Sequence, residues 1–290
     1  MLLPKFTLHS PETTDEAFNI LSRHPESAIL GGGTDLVVNM KKRTVVPQNV
    51  LSLGKIKGLA QIEKEQGIIR IGAGTTVAEI MQSKIFPSSM RTLIQSARNL
   101  GTPLIRNRAT IGGNIMSARP AADLICSLLS LEADVELASS AGRRILSLPE
   151  LIQGPGATNT KQGEILTAII LHIPPAKTGS DYQSLGIRRA QDINLVNVST
   201  VLTLDGVEAV QKAGVVLGCV GPTHILSSNA AKVLLGQKMT AELVEEAAAA
   251  SVHDCTPIDD FRSTAEYRRK MVQVLVKRSL KQAWKQAVNA

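Results

Sequence analysis

The feature that most limits what this chain can become is a pair of widely separated glycine clusters, each tied to an apolar run. In Ile29-Leu30-Gly31-Gly32-Gly33-Thr34-Asp35-Leu36, three glycines follow the strand-like stretch Ala28-Ile29-Leu30. Without Cβ atoms the backbone can turn sharply there, approach other groups closely and converge successive N–H groups into a concavity suited to an anion. Thr34 adds a hydroxyl, and the Asp35 carboxylate can accept from neighbouring amides. Alone, such a triplet reads as a tight turn. A second segment changes that reading: it runs from Gly101 through Thr110-Ile111-Gly112-Gly113-Asn114 and again joins unobstructed amides to a hydroxyl and a carboxamide. Asp123 follows in Ala121-Ala122-Asp123, placed to accept from a ribose or similar polyol. Two phosphate-compatible loops in one chain suit an extended, diphosphate-bearing ligand, and a dinucleotide is such a ligand.

The familiar nucleotide fingerprints do not describe these loops. Read against G-x-G-x-x-G, the first cluster ends on Leu36, and Gly72-Ala73-Gly74-Thr75-Thr76-Val77 ends on Val77. Neither is a Rossmann match. No G-x-x-x-x-G-K-[S/T] run and no G-x-S-x-G run occurs, and His9, His24, His172, His224 and His253 are too dispersed for local metal-ligand spacing. Cys126, Cys219 and Cys255 form no paired motif, so neither a disulfide framework nor an iron–sulfur ligand run is expected.

The pattern along the chain predicts an α+β protein in three regions. The first, about residues 1–55, holds a helix after Ser10-Pro11-Glu12 and the run ending in the glycine triplet. The second, about 56–175, holds β-like runs such as Ile68–Ile71 and amphipathic helices near Met90–Leu100 and Ala121–Leu131. Pro174-Pro175 and the polar stretch after it mark a boundary. The third, 181–290, alternates strands at Val196–Leu204 and Ala213–Val220 with helices after Thr240 and Ser263. Aromatic residues are only 2% of the chain, which argues against a surface reading single-stranded nucleic acid by stacking. The net charge of +7 is spread along the sequence. Its densest stretch, Arg262–Lys285, reads as a helix with a solvated basic face and Tyr267, Met271, Leu275 and Leu280 turned inward. No apolar run is long enough to span a membrane and no export signal is evident, so a soluble, cytoplasmic protein is expected.

Five segments in order resemble the FAD-binding medium subunits of the molybdenum hydroxylase family, the xanthine dehydrogenase and carbon monoxide dehydrogenase type. Gly31–Leu36 is similar to that family's GGTDL loop. Pro103-Leu104-Ile105-Arg106-Asn107 with Thr110–Ile115 resembles its IRN and TIGGN loop, and Arg119–Leu124 its S-P-A-A-D-L continuation. Glu164–Ile169 and the run Gly186–Val198 are similar to two later family segments. The resemblance implies a two-subdomain FAD-binding fold of the PCMH type over residues 1–175, followed by an α+β CO dehydrogenase flavoprotein domain over 181–290.

For individual residues the resemblance implies the following. Ile29, Leu30, Gly31, Gly32, Gly33, Thr34, Asp35 and Leu36, with Thr110, Ile111, Gly112, Gly113 and Asn114, wrap the FAD diphosphate and ribityl region. Gly101 lies near the adenine or ribose end, Asp123 hydrogen-bonds the cofactor, the Leu166 backbone contacts it, and Ile193 sits near the isoalloxazine. With no histidine in either loop, the FAD is expected to be non-covalent. This chain is then an electron-transfer oxidoreductase subunit with no catalytic residue and no metal of its own. A molybdopterin large subunit and a [2Fe–2S] small subunit accompany it as a dimer of heterotrimers, and electrons leave to NAD or another acceptor. Two positions depart from the family pattern. Where relatives often have Tyr-x-Lys, with the lysine reaching the flavin, this chain has Tyr182-Gln183-Ser184, and Ser184 offers a hydroxyl instead of a charge. Where some NAD-using relatives carry an acidic pair, Gln191-Asp192 keeps one carboxylate, which points away from NAD. The alternatives are a stand-alone flavin oxidoreductase of the same superfamily, which would need a substrate pocket of its own, and a non-enzymatic nucleotide-binding or nucleic-acid-binding module.

Overall fold

The computed structural model describes residues 2–188 and 192–290. The chain begins with β1 (Thr7–His9), α1 (Thr14–Arg23), β2 (Ala28–Leu30), α2 (Leu36–Lys41) and β3 (Asn49–Ser52), whose strands form a parallel sheet in the order β1-β3-β2. Thr13 starts α1 by accepting the Glu16 amide, and Ala17 and Leu21 bury its inner face. The glycine triplet lies between β2 and α2, at the end of the short sheet where the chain must reverse.

Next come β4 (Ile62–Glu65), β5 (Ile68–Gly72), α3 (Val77–Gln82), α4 (Arg91–Asn99), α5 (Pro103–Arg106), α6 (Ile111–Met116) and α7 (Asp123–Ser130). They are followed by β6 (Asp134–Ser139), β7 (Gly142–Ser147), α8 (Leu148–Leu151), the hairpin β8 (Ile152–Gly154) and β9 (Ala157–Thr158), and β10 (Ile165–His172). The sheet order is β4-β5-β10-β6-β7, antiparallel throughout. Ile165–Leu171 of β10 is buried without interruption, as a central strand covered on both faces requires. Thr76, Thr102 and Thr110 each accept an N3 amide, fixing where α3, α5 and α6 begin.

The last region contains β11 (Thr178–Leu185), β12 (Val196–Leu204), β13 (Val210–Gly218), β14 (Ile225–Leu226), α9 (Ser228–Leu234), α10 (Ala241–Ser251) and α11 (Ala265–Val288). Its sheet runs β11-β12-β13-β14. Every residue of β12 is buried, and strand alternation divides them. Val196, Val198, Leu202 and Leu204 join the core beneath α11, whereas Ser199 and Val201 face the middle region. The seam is lined by small hydroxyls: Thr92 Oγ1 lies 2.9 Å from Ser127 Oγ and 2.6 Å from Ser199 Oγ, and Ser130 Oγ lies 2.6 Å from Ser199 Oγ. Thr92, Ser127 and Ser199 are wholly buried. Each hydroxyl is satisfied by another, which removes the cost of burying it.

The α+β reading holds, with two local corrections. The strand expected at Ala213–Val220 is β13, which begins at Val210 and ends at Gly218. On α11, Leu275 and Leu280 are buried, but Tyr267 is 44% exposed and the next residue, Arg268, is 2% exposed. Arg268 Nη1 donates to the carbonyls of Leu195 and Cys219, and Nη2 pairs with Asp260 Oδ2 at 2.8 Å. Hydropathy spacing places a tyrosine inward by default, whereas a guanidinium goes inward only where distant carbonyls and a carboxylate receive it.

Gly179 in β11 lets α11 lie on the sheet: a Cβ there would sit 1.9 Å from the Ala283 carbonyl oxygen. Gly179→Ala is expected to lower stability by about 1–3 kcal/mol, the usual range for overpacking, read as a reduced urea midpoint with unchanged slope.

Candidate functional site

The two glycine clusters meet. A Cβ on Gly32 would stand 1.7 Å from the Arg108 carbonyl oxygen, and one on Gly31 would stand 2.9 Å from Thr110 Oγ1. Gly32 permits backbone-on-backbone contact between the loop after β2 and the loop before α6, and Gly31 makes room for the Thr110 side chain. Gly33 has a different reason, a φ of +80°. The amides of Gly32, Gly33, Thr34 and Asp35 donate to no described residue, so the first loop presents a run of free donors.

The second loop behaves otherwise. Its amides were expected to be open, but Ile111 N donates to Thr75 O, Gly112 N to Ala73 O, Gly113 N to Thr110 Oγ1 and Asn114 N to Thr110 O. The loop is laced to residues 73–77, and Gly112 serves that packing: its Cβ would lie 2.7 Å from the Ala73 carbonyl oxygen. What it offers the site is an open surface at Gly113, where a Cβ would meet only Thr110 Oγ1, and the Asn114 carboxamide. Asn114 Oδ1 is buried with no hydrogen-bond partner in the protein, a state that calls for a donor from a ligand.

A continuous cleft runs through this waist. On one side is a cavity of about 340 Å³ walled by Leu53, Leu59, Ala60, Ile165 and Leu166. On the other is one of about 710 Å³ walled by Gly33, Thr34, Asp35, Leu36, Gly101, Asn114 and Ile193. Ile29, Gly31, Gly32, Thr110 and Gly113 border both. An elongated space with an apolar end, a donor-rich middle and a wider far end fits a dinucleotide. Gly101 shares a wall with Ile193 rather than with Leu166. Leu30 and Ile111 stay off the walls, Ile111 being wholly buried in the middle core.

Asp123 lines a neighbouring cavity that shares Asp35, Asn114 and Ile193 with the far end of the cleft. Its Oδ1 accepts from Asn99 Nδ2 at 2.7 Å, Asn194 Nδ2 at 2.8 Å and the Tyr182 hydroxyl at 2.9 Å. Burial pushes this carboxyl above the ordinary carboxylate range, and the three donors pull the other way. Ser184 lines an adjoining recess, its hydroxyl donating to Asn99 Oδ1 at 2.9 Å. Nothing local in the sequence announced that Asn99, Tyr182 and Asn194 would meet at Asp123, because they reach it from different parts of the chain. Arg189, Ala190 and Gln191 of the Gly186–Val198 run lie outside the described residues. Asp192 takes the amides of Ile187, Arg188 and Ile193 on its two oxygens, and these bonds hold its carboxyl below the usual range. It ties its own loop together, and Gly186 is needed because a Cβ there would lie 2.7 Å from Asp192 Oδ2.

With this geometry in hand, comparison with known proteins is decisive. Residues 4–175 match the FAD binding domain in molybdopterin dehydrogenase, and residues 182–283 the CO dehydrogenase flavoprotein C-terminal domain. The chain belongs to the FAD-binding medium subunits of the molybdenum hydroxylase family. It is 31% identical over 283 residues to the nicotine 6-hydroxylase medium subunit of Paenarthrobacter nicotinovorans, covering 98% of this chain and 99% of that one. It is 30% identical to the carbon monoxide dehydrogenase medium chain of Hydrogenophaga pseudoflava, with the same coverage. The solved carbon monoxide dehydrogenase from that organism superposes with a TM-score of 0.93 at 30% identity, covering 98% of this chain and 99% of that one. The medium subunit is thus a FAD-dependent oxidoreductase component, and in this family the molybdenum and iron–sulfur cofactors belong to partner subunits.

Two substitutions separate the roles of the glycines. Gly113→Val sets a Cβ 3.0 Å from Thr110 Oγ1 and a branched side chain at the cleft wall, and is expected to remove most bound FAD, counted by absorbance after heat release, at a modest cost in urea stability. Gly32→Ala drives the two loops apart and is expected to lose both FAD and about 1–3 kcal/mol of stability.

Proposed function

We propose that this medium subunit holds one non-covalent FAD along the cleft and relays electrons from the [2Fe–2S] clusters of a small subunit to an external acceptor. The observation that carries this reading is the waist: Gly32 to Asp35, whose amides bond no described residue, line the same cleft as Asn114, whose Oδ1 is unpaired. Pyrophosphate needs convergent donors, and a ribityl or ribose hydroxyl can donate to Asn114 Oδ1. The adenine then takes the apolar end against Leu166, and the isoalloxazine takes the wider end by Gly101 and Ile193. FAD supplies the redox chemistry, and the protein supplies placement and electrostatics.

In the assembly we propose, substrate is hydroxylated on a molybdopterin large subunit, and two such heterotrimers pair in the cytoplasm. Residues 1–175 form the FAD-binding domain, with subdomains at about 1–55 and 56–175, and residues 181–290 the second domain. Each region has a main sheet of its own, the middle one adding the two-stranded β8-β9 hairpin, and this supports that division. The one carboxylate left at the acceptor loop, Asp192, is already engaged by three amides, which favours an acceptor other than NAD. Among the described residues no helix is long and apolar enough to cross a membrane.

The test is direct. The isolated chain is expected to be yellow, to release FAD on heating and to show no hydroxylation, which appears only when the large and small subunits are present. Well-folded chain unable to take up FAD would overturn the seating, and hydroxylation by the isolated chain would overturn the division of labour.

A further inference from the structure

The apolar end of the cleft carries few polar side chains, and several are already engaged. Glu164 Oε1 takes Arg144 Nε at 2.7 Å, and its Oε2 takes Arg144 Nη2 at 2.8 Å and the Lys161 amide at 2.6 Å. The Thr76 hydroxyl donates to Glu79 Oε2 and accepts the Glu79 amide, and Thr110 Oγ1 takes the Gly113 amide. Arg108 can only donate. Two side-chain oxygens of this wall receive no donor from any described residue, Glu79 Oε1 and Asn107 Oδ1.

Of these two, only Glu79 is held in place. It is the third residue of α3, and its Oε2 accepts the Thr76 amide and the Thr76 hydroxyl, each at 2.7 Å, in a reciprocal cap at the start of the helix. Two bonds on one oxygen fix the carboxylate, so Oε1 keeps a set position beside the cavity. The Asn107 carboxamide has no described partner to orient it.

We infer that Glu79 Oε1 accepts a hydrogen bond from the exocyclic amine of adenine and makes this end of the cleft selective for a 6-aminopurine. The inference rests on the seating of the adenine against Leu166. The apolar walls of Leu59, Ile165 and Leu166 suit the purine ring itself. The amine differs from the ring, because a donor taken out of water needs an acceptor. A carboxylate oxygen accepts and cannot donate, so it favours the amine and disfavours a ring nitrogen in the same place. The residue that starts the helix thereby also reads the base, and no covalent step is involved.

The experiment titrates the full-length chain, freed of its flavin, with FAD and with flavin purine dinucleotide, in which hydrogen replaces the adenine amine. The wild type is expected to bind FAD more tightly by about ten- to a hundredfold, the range for one hydrogen bond to a charged group. Glu79→Gln keeps the cap, since an amide oxygen can still accept from Thr76. That orientation leaves Nε2 where Oε1 stood, a donor facing a donor. The preference for FAD is then expected to vanish, while the purine dinucleotide binds as it does to the wild type. Asn107→Ala is expected to keep the preference. Equal binding of both ligands by the wild type, a Glu79→Gln chain that still prefers FAD, or loss of the preference in Asn107→Ala overturns the inference. Ala60→Trp sets a ring at an exposed wall residue of the same cavity and should weaken both ligands alike. FAD binding untouched by that change, or a folded wild type that takes up neither ligand, would instead sink the cofactor seating.

Discussion

The structure depends on one close approach, the backbone of Gly32 against the carbonyl of Arg108. Two segments far apart in sequence are brought within the distance of a missing Cβ, and the cleft exists because they meet there. Everything at the site inherits this contact. The amides of the first loop are left without a described protein partner, and the second loop is laced to residues 73–77. One loop donates and the other supports, a division that two similar-looking glycine runs conceal.

Much of the architecture was legible because it is written locally. The strand-like runs at Ile68–Ile71 and Val196–Leu204 and the helix near Met90–Leu100 each depend on near neighbours. The two glycine clusters could also be picked out, and the structure brings them together. Illegible features share a different cause: they are decided by partners distant in sequence. Nothing near Arg268 says that Leu195, Cys219 and Asp260 will receive it, and nothing near Gly112 says that Ala73 will take its amide. The same holds for Asn99 and Asn194, unremarkable until the fold sets both beside Asp123.

Asp192 shows how a residue can be located well and read for the wrong property. Sequence drew attention to its charge, as a remnant of an acidic pair. In the structure its two oxygens collect three amides of its own loop, and Gly186 leaves room for them. Its contribution is shape: it determines how Ile193 is presented. Ser184 is similar, since its hydroxyl connects through Asn99 to the group of donors around Asp123 rather than supplying a charge.

The seam between the middle region and the last sheet has a consequence of its own. At its centre Thr92, Ser127, Ser130 and Ser199 hold one another through neutral hydroxyls, with no ion pair among them. Attraction of that kind is little screened by electrolyte. Ionic strength high enough to dissociate a charged subunit contact would therefore leave these two parts of the polypeptide clasped, and the subunit would come away from its assembly in one piece.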